Sequence, residues 1–163
     1  MNKTAVVVGA SRGIGRAIVE QLAAIDGMFV HALSRDREKM NNTFGHLKNV
    51  KCHPFDLSSN VRQQASEIFA SVGSIDLLIN NAGKLVNKPF TSLTHDDIEG
   101  CYQTNVIGVM ETVQAAIEYI SDFIHPDRHD TIGRIKDIAA GAVFIAAVSA
   151  AIGAMVIYIP KIF

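Results

Sequence analysis

An excess of charge of either sign is missing from this chain. Fifteen basic residues face sixteen acidic ones, a net charge of -1, so no overall field draws it to nucleic acid, and none is expected as a partner. Cysteine is scarce. Cys52 and Cys101 are the only two, too far apart for a metal-type spacing, which predicts reduced thiols in a cytosolic setting. There is no internal repeat and no low-complexity tract. The start, Met1-Asn2-Lys3-Thr4, runs straight into an apolar strand and predicts no cleaved leader. A local absence is more informative: Ile138 to Ile159 contains no charged side chain, and the last 26 residues hold only Lys161. As a helix rising about 1.5 Å per residue, that uncharged run would cover the hydrocarbon core of a bilayer, roughly 30 Å.

What is present before that run alternates between strand and helix. Ala5 to Val8 reads as a buried parallel strand, and Ile14, Ala17, Ile18, Leu22 and Ile25 recur at helical spacing up to Gly27. Met28 to Leu33 reads as a second strand, and Val50 to His53 as a third with a turn at Pro54. Val61 to Val72 reads as a helix and Ile75 to Ile79 as a fourth strand. Thr94 with Asp97 has the spacing of a capping box, and helical spacing then continues to about Ile124, with a break near Asn105 and Gly108. The fold class this predicts is α/β: an incomplete doubly wound, Rossmann-type parallel sheet in the order 3-2-1-4, with a transmembrane helix after it. The expected domains are 1–115 for the nucleotide-binding unit, 116–137 for a helix end and polar loop, and 138–159 for the span.

Gly9-Ala10-Ser11-Arg12-Gly13-Ile14-Gly15 lies between the first strand and the first helix. There glycines permit a tight turn and close backbone approach, and the helix amino terminus offers N–H groups to phosphate. Asp56-Leu57 follows the third strand, Asn80-Asn81-Ala82-Gly83 ends the fourth, and Thr104-Asn105-Val106 sits in the later helix. Together, in this order, the four segments resemble the short-chain dehydrogenase/reductase family over residues 3 to about 115. The resemblance implies a dinucleotide held by Gly9, Ser11, Arg12, Gly13, Ile14, Gly15, Arg35, Asp56, Leu57, Asn81, Ala82 and Gly83. It also implies that Asn105 is the catalytic Asn of the family. The second strand ends in Ser34-Arg35, and Arg12 stands in the glycine loop. Two guanidinium groups there suit a 2′-phosphate, favouring NADP, while Asp36 leaves NAD open.

That family moves a proton through a Tyr followed four residues later by Lys. Here Tyr102, Tyr119 and Tyr158 are followed at that distance by Val106, Phe123 and Ile162. Asn105 therefore stands without its partners, and hydride transfer by this chain alone is not expected.

Ala116 to Asp122, Gly133 to Asp137 and the apolar run resemble the carboxy-terminal part of prokaryotic diacylglycerol kinase and undecaprenol kinase. That implies a seam between Val113 and Ile117, with Glu118 as a Mg²⁺ ligand alongside Glu111. Glu111, Gln114, Glu118 and Asp122 also fit the solvated stripe of a helix. The uncharged run carries Ala142, Ala146, Ala150 and Ala154 four apart, a face suited to contact between copies in lipid. Arg128, Arg134 and Lys136 precede it, placing the first domain on the cytoplasmic side of the plasma membrane in a single-pass arrangement. Three functions are thus in play: an NADP-dependent oxidoreductase, a lipid kinase or a subunit of one, and a membrane-tethered, dinucleotide-binding fusion without a finished reaction centre.

Overall fold

The computed structural model describes residues 2–124. Four strands, β1 (Lys3–Val8), β2 (Met28–Ser34), β3 (Val50–Pro54) and β4 (Leu77–Asn80), form one parallel sheet in the order β3-β2-β1-β4. The helices are α1 (Gly13–Ala23), α2 (Arg37–Phe44), α3 (Val61–Val72), α4 (His95–Tyr102) and α5 (Gly108–Ile124). The order follows from right-handed crossovers, which send β2 and β3 to one side of β1 and return β4 to the other.

From Ala5 to Val8 β1 is buried on both faces, which is why that stretch is an unbroken apolar run and not an alternating one. Val6 and Val8 point to one face, joining Leu33, Phe55, Val61, Ala65, Phe69 and, from α5, Ala115 and Ala116. Val7 points to the other, joining Val19 of α1, Val30 and Ala32 of β2, and Met40 and Phe44 of α2. Both layers are apolar clusters, and each fully buried aliphatic or aromatic side chain contributes roughly 1.5–3 kcal/mol.

Several boundaries differ from the sequence expectation. The helix α2 lies in a stretch, between the second and third strands, where the sequence reading placed no element; Asp36 caps it by accepting from the Lys39 N–H at 2.9 Å, and Met40 and Phe44, one turn apart, are its only buried residues. The third strand extends through Pro54, which pairs with Ser34. Ile14 and Ile25, expected on the core face of α1, are exposed; α1 ends at Ala23, and Ile14 sits on its first turn, facing outward. The capping box at Thr94 and Asp97 is present in both directions. The break near Asn105 is a π-helical segment, Gln103–Ile107, between α4 and α5. Such wide turns commonly occur at functional sites.

Among the described residues no helix is long and apolar enough to cross a membrane. The expected span at 138–159, its alanine face and most of the expected polar loop lie outside the described residues.

Besides Thr112, whose buried hydroxyl donates to the Gly108 carbonyl at 2.7 Å, one polar pair interrupts the core. His31 and His53, both buried, share a 2.8 Å contact between Nδ1 and Nε2, with their rings stacked at a centroid distance of 5.0 Å. Register explains the meeting: His31 lies opposite Lys51 and His53 opposite Leu33, so the two imidazoles are diagonal neighbours on one face.

Candidate functional site

At the carboxyl ends of β1 and β4 the chain diverges, and the fold leaves a crevice at the point where strand order reverses, where ligands of open α/β sheets bind. Val8 pairs with both Leu33 and Asn80, and the loops after these three residues form the crevice walls. The resulting cleft has a volume of about 530 Å³.

The glycine loop is set by its neighbours. The Gly9 and Ala10 N–H groups both donate to the Leu33 carbonyl, at 2.8 and 3.1 Å. Gly9 has φ +84, and a Cβ there would lie 2.6 Å from the Ala82 backbone, so both the turn and the close approach require glycine. Gly15 is pressed against the Gly9 carbonyl, and a Cβ on it would also meet Asn81 Nδ2 at 2.6 Å. Asn81 ties the two loops together: its N–H donates to the Val8 carbonyl at 3.0 Å and its Nδ2 to the Gly9 carbonyl at 3.2 Å.

The first turn of α1 opens onto this cleft with no side-chain cap and no acidic residue. Its N–H groups and the positive end of its dipole are therefore left for an anion. On the opposite wall, Asp56 is held firmly. Its Oδ1 accepts from Ser58 N–H and Oγ–H at 2.9 and 2.8 Å, while the Gln64 amide clasps its backbone by accepting at 3.0 Å and donating at 3.1 Å.

Of the residues expected to hold a dinucleotide, Gly9, Ser11, Arg12, Gly13, Ile14, Arg35, Asp56, Leu57, Asn81, Ala82 and Gly83 all line the cleft. Gly15 does not; it packs behind the loop, where its lack of a side chain lets α1 approach the sheet. Asn105 also lies off the lining. Its Oδ1 accepts from the Lys84 N–H at 2.7 Å and its Nδ2 donates to the Lys84 carbonyl at 2.8 Å, so its side chain clamps a loop. Thr104, its neighbour in the π-helical segment, reaches the cleft. Sequence reasoning passed over Lys84 and Leu85, which line the cleft directly after the Asn-Asn-Ala-Gly segment. The signal available was a cation adjoining the motif.

Glu118 is committed elsewhere: its carboxylate pairs with Arg62 of α3. Tyr119 beside it donates its hydroxyl to the Gly73 carbonyl. No group of three or more metal-ligating side chains occurs among the described residues. The helix stripe bearing Glu111 and Glu118 thus has, at Glu118, an ion-pairing role that joins α5 to α3.

The short chain dehydrogenase family model matches residues 3–148. The chain belongs to this family. The match continues past the seam expected between Val113 and Ile117, so the family pattern covers much of the stretch that resembled a lipid kinase. Among curated relatives, a tropinone reductase homolog of Arabidopsis thaliana is 34% identical over 126 residues, 70% of this chain and 46% of the relative. A 3-oxoacyl-[acyl-carrier-protein] reductase of Staphylococcus epidermidis is 30% identical over 120 residues, 70% of this chain and 49% of the relative. Among solved structures, the alcohol dehydrogenase of the archaeon Thermococcus sibiricus, complexed with 5-hydroxy-NADP, superposes with a TM-score of 0.68 at 27% identity, covering 76% of this chain and 55% of that one. A short-chain dehydrogenase/reductase from Brucella melitensis gives 0.67 at 30% identity, covering 72% and 52%. The chain spans about half the length of the curated relatives it matches.

Proposed function

We propose that this cleft binds NADP(H) in the manner of a short-chain dehydrogenase, and that the 163-residue chain by itself binds the dinucleotide without carrying out hydride transfer. The observation that carries the cofactor choice is the disposition of charge after β2. Arg12 and Arg35 both line the cleft, and neither has an ion-pair partner among the described residues. Asp36, which would favour NAD by accepting from a ribose hydroxyl, instead spends its carboxylate on the amino terminus of α2. Two free guanidinium groups and a diverted acid suit a 2′-phosphate.

The rest of the cleft fits the remaining groups of such a molecule. The bare glycine backbone and the uncapped start of α1 suit the pyrophosphate, and the fixed carboxylate of Asp56 suits the amine-bearing edge of an adenine. When bound, NADPH supplies a hydride. This chain supplies binding and orientation, but no Tyr-x-x-x-Lys to deliver the accompanying proton. Asn105 acts on the cleft through the Lys84 backbone it holds.

The uncharged run 138–159 supports a second element of the proposal, attachment of the chain to the plasma membrane with the dinucleotide unit on the cytoplasmic side. A lipid-kinase activity is the weaker reading, because the acid that would hold Mg²⁺ is paired with Arg62.

Titration of the purified chain with NADPH and NADH, followed by cofactor fluorescence, tests the binding claim; the expected result is saturable binding that favours NADPH. Flotation with liposomes tests the attachment, with recovery in the vesicle fraction expected. NADPH consumption with carbonyl substrates by the chain alone would overturn the view that it lacks a finished centre.

A further inference from the structure

Between β3 and α3 the chain crosses from sheet to helix while bringing Asp56 to the cleft. The sheet's hold ends at Phe55, whose N–H donates to the Ser34 carbonyl at 3.0 Å. The helix begins after Asn60, which stands at φ +48 and makes no side-chain capping hydrogen bond. Between these points the backbone around Asp56 is held by one side chain. The Gln64 Oε1 accepts from the Asp56 N–H at 3.0 Å. Its Nε2 donates to the Asp56 carbonyl at 3.1 Å and to the Ser59 carbonyl at 2.6 Å.

That amide stands on a firm base. Val61 and Ala65, which flank it in α3, are fully buried in the core, and the Gln64 N–H donates to the Asn60 carbonyl at 3.1 Å. Gln64 does not itself line the cleft, whereas Asp56 does. The two oxygens of the Asp56 carboxylate differ. Oδ1 accepts from the Ser58 N–H and hydroxyl, while Oδ2 has no hydrogen-bond or ion-pair partner among the described residues. One oxygen is anchored and the other is left for a ligand.

We infer that Gln64 is a positioning residue for the dinucleotide, acting through Asp56 to select a base that carries an exocyclic amine over one that carries a carbonyl in its place. This rests on the proposed NADP(H) reading of the cleft. An ionised carboxylate only accepts hydrogen bonds. Its free oxygen gains a charge-assisted hydrogen bond from the 6-amine of adenine and meets only lone pairs at the 6-oxygen of hypoxanthine. Such discrimination needs the carboxylate held in one place before the ligand arrives, and a clasp on both peptide groups of the same residue provides that.

The test uses the full chain, titrated by fluorescence with NADPH and with its reduced hypoxanthine counterpart, which differs only in the base. The expected result is a preference for the adenine form of about tenfold, as one charge-assisted hydrogen bond would give. Gln64→Met keeps the length of the side chain without its hydrogen bonds and should bring the ratio close to one. Gln64→Glu keeps an acceptor for the Asp56 N–H and should leave an intermediate ratio. In an Asp56→Ala background, Gln64→Met should change the ratio no further, as a residue acting through Asp56 requires. A purely structural role would weaken both dinucleotides alike and leave the ratio where it was. A ratio unchanged by Gln64→Met, a further change in the Asp56→Ala background, or no base preference in the unsubstituted chain overturns the inference. Binding of neither dinucleotide would instead count against the cofactor reading, and the same variants titrated by NMR with 5′-AMP and 5′-IMP would still report on Gln64.

Discussion

Acidification should weaken this fold through one identifiable pair. Burial, with the nearby charges of His53 and Lys51 adding to it, lowers the His31 pKa from 6.5 to about 4. His53 is lowered too, by burial first and then by Lys51 and Arg37. Both imidazoles are therefore neutral in the folded state, where one ring N–H donates to the other ring nitrogen. The unfolded chain takes up protons below about pH 6.5, and the folded one resists them until about pH 4. Stability is thus fully present above the unfolded value and falls as pH drops through the window between the two. A displacement of that size corresponds to about 3 kcal/mol for His31, of which about 2 kcal/mol is lost between about pH 7 and pH 5. Urea unfolding followed by circular dichroism should show the midpoint falling by on the order of 1 M or more across that interval. Replacing both partners, His31→Leu with His53→Leu, removes the paired polar groups together and should flatten the dependence without a large loss of stability at neutral pH. A midpoint independent of pH in the unsubstituted chain, or the same slope in the double variant, would refute the reasoning.

Three further outcomes follow from the cleft. Gly15→Ala places a methyl group against the Gly9 carbonyl and Asn81 Nδ2, and should cost about 1–3 kcal/mol in thermal or urea unfolding and abolish dinucleotide binding. Asn105→Ala removes both hydrogen bonds to Lys84, and should cost about 1–3 kcal/mol and speed hydrogen exchange at the Lys84 amide. Arg35→Ala should weaken NADPH binding by about 10–100-fold while leaving NADH affinity nearly unchanged, as read by fluorescence titration.

Local patterns in this sequence translate directly into structure where one face or one motif decides the outcome. The β-branched run at Val6 to Val8 needs burial on both sides, and that alone places β1 centrally. The glycine loop and the Asn-Asn-Ala-Gly segment mark two loops that meet because β1 and β4 are neighbours. The helix α2 was not legible because Arg37, Glu38, Lys39, Asn41 and Asn42 hide a core contact made by only Met40 and Phe44. Ile14 misled for the opposite reason: it has the spacing of a core residue but stands on the first turn, at the cleft. The His31–His53 contact depends on the register of β2 against β3, which no single strand carries in its own residues. Asn105 was recognised by its motif, yet its side chain's grip on Lys84 needed the π-helical segment to be seen in place.

Calorimetric titration of the 163-residue chain with NADPH, and with NADH under identical salt, bears most directly on what this cleft is for. One site per chain with NADPH bound at least about tenfold tighter is the predicted result, since Arg12 and Arg35 can meet the 2′-phosphate with charge-assisted hydrogen bonds. No heat with either nucleotide from a folded sample, or equal affinity for both, would contradict it.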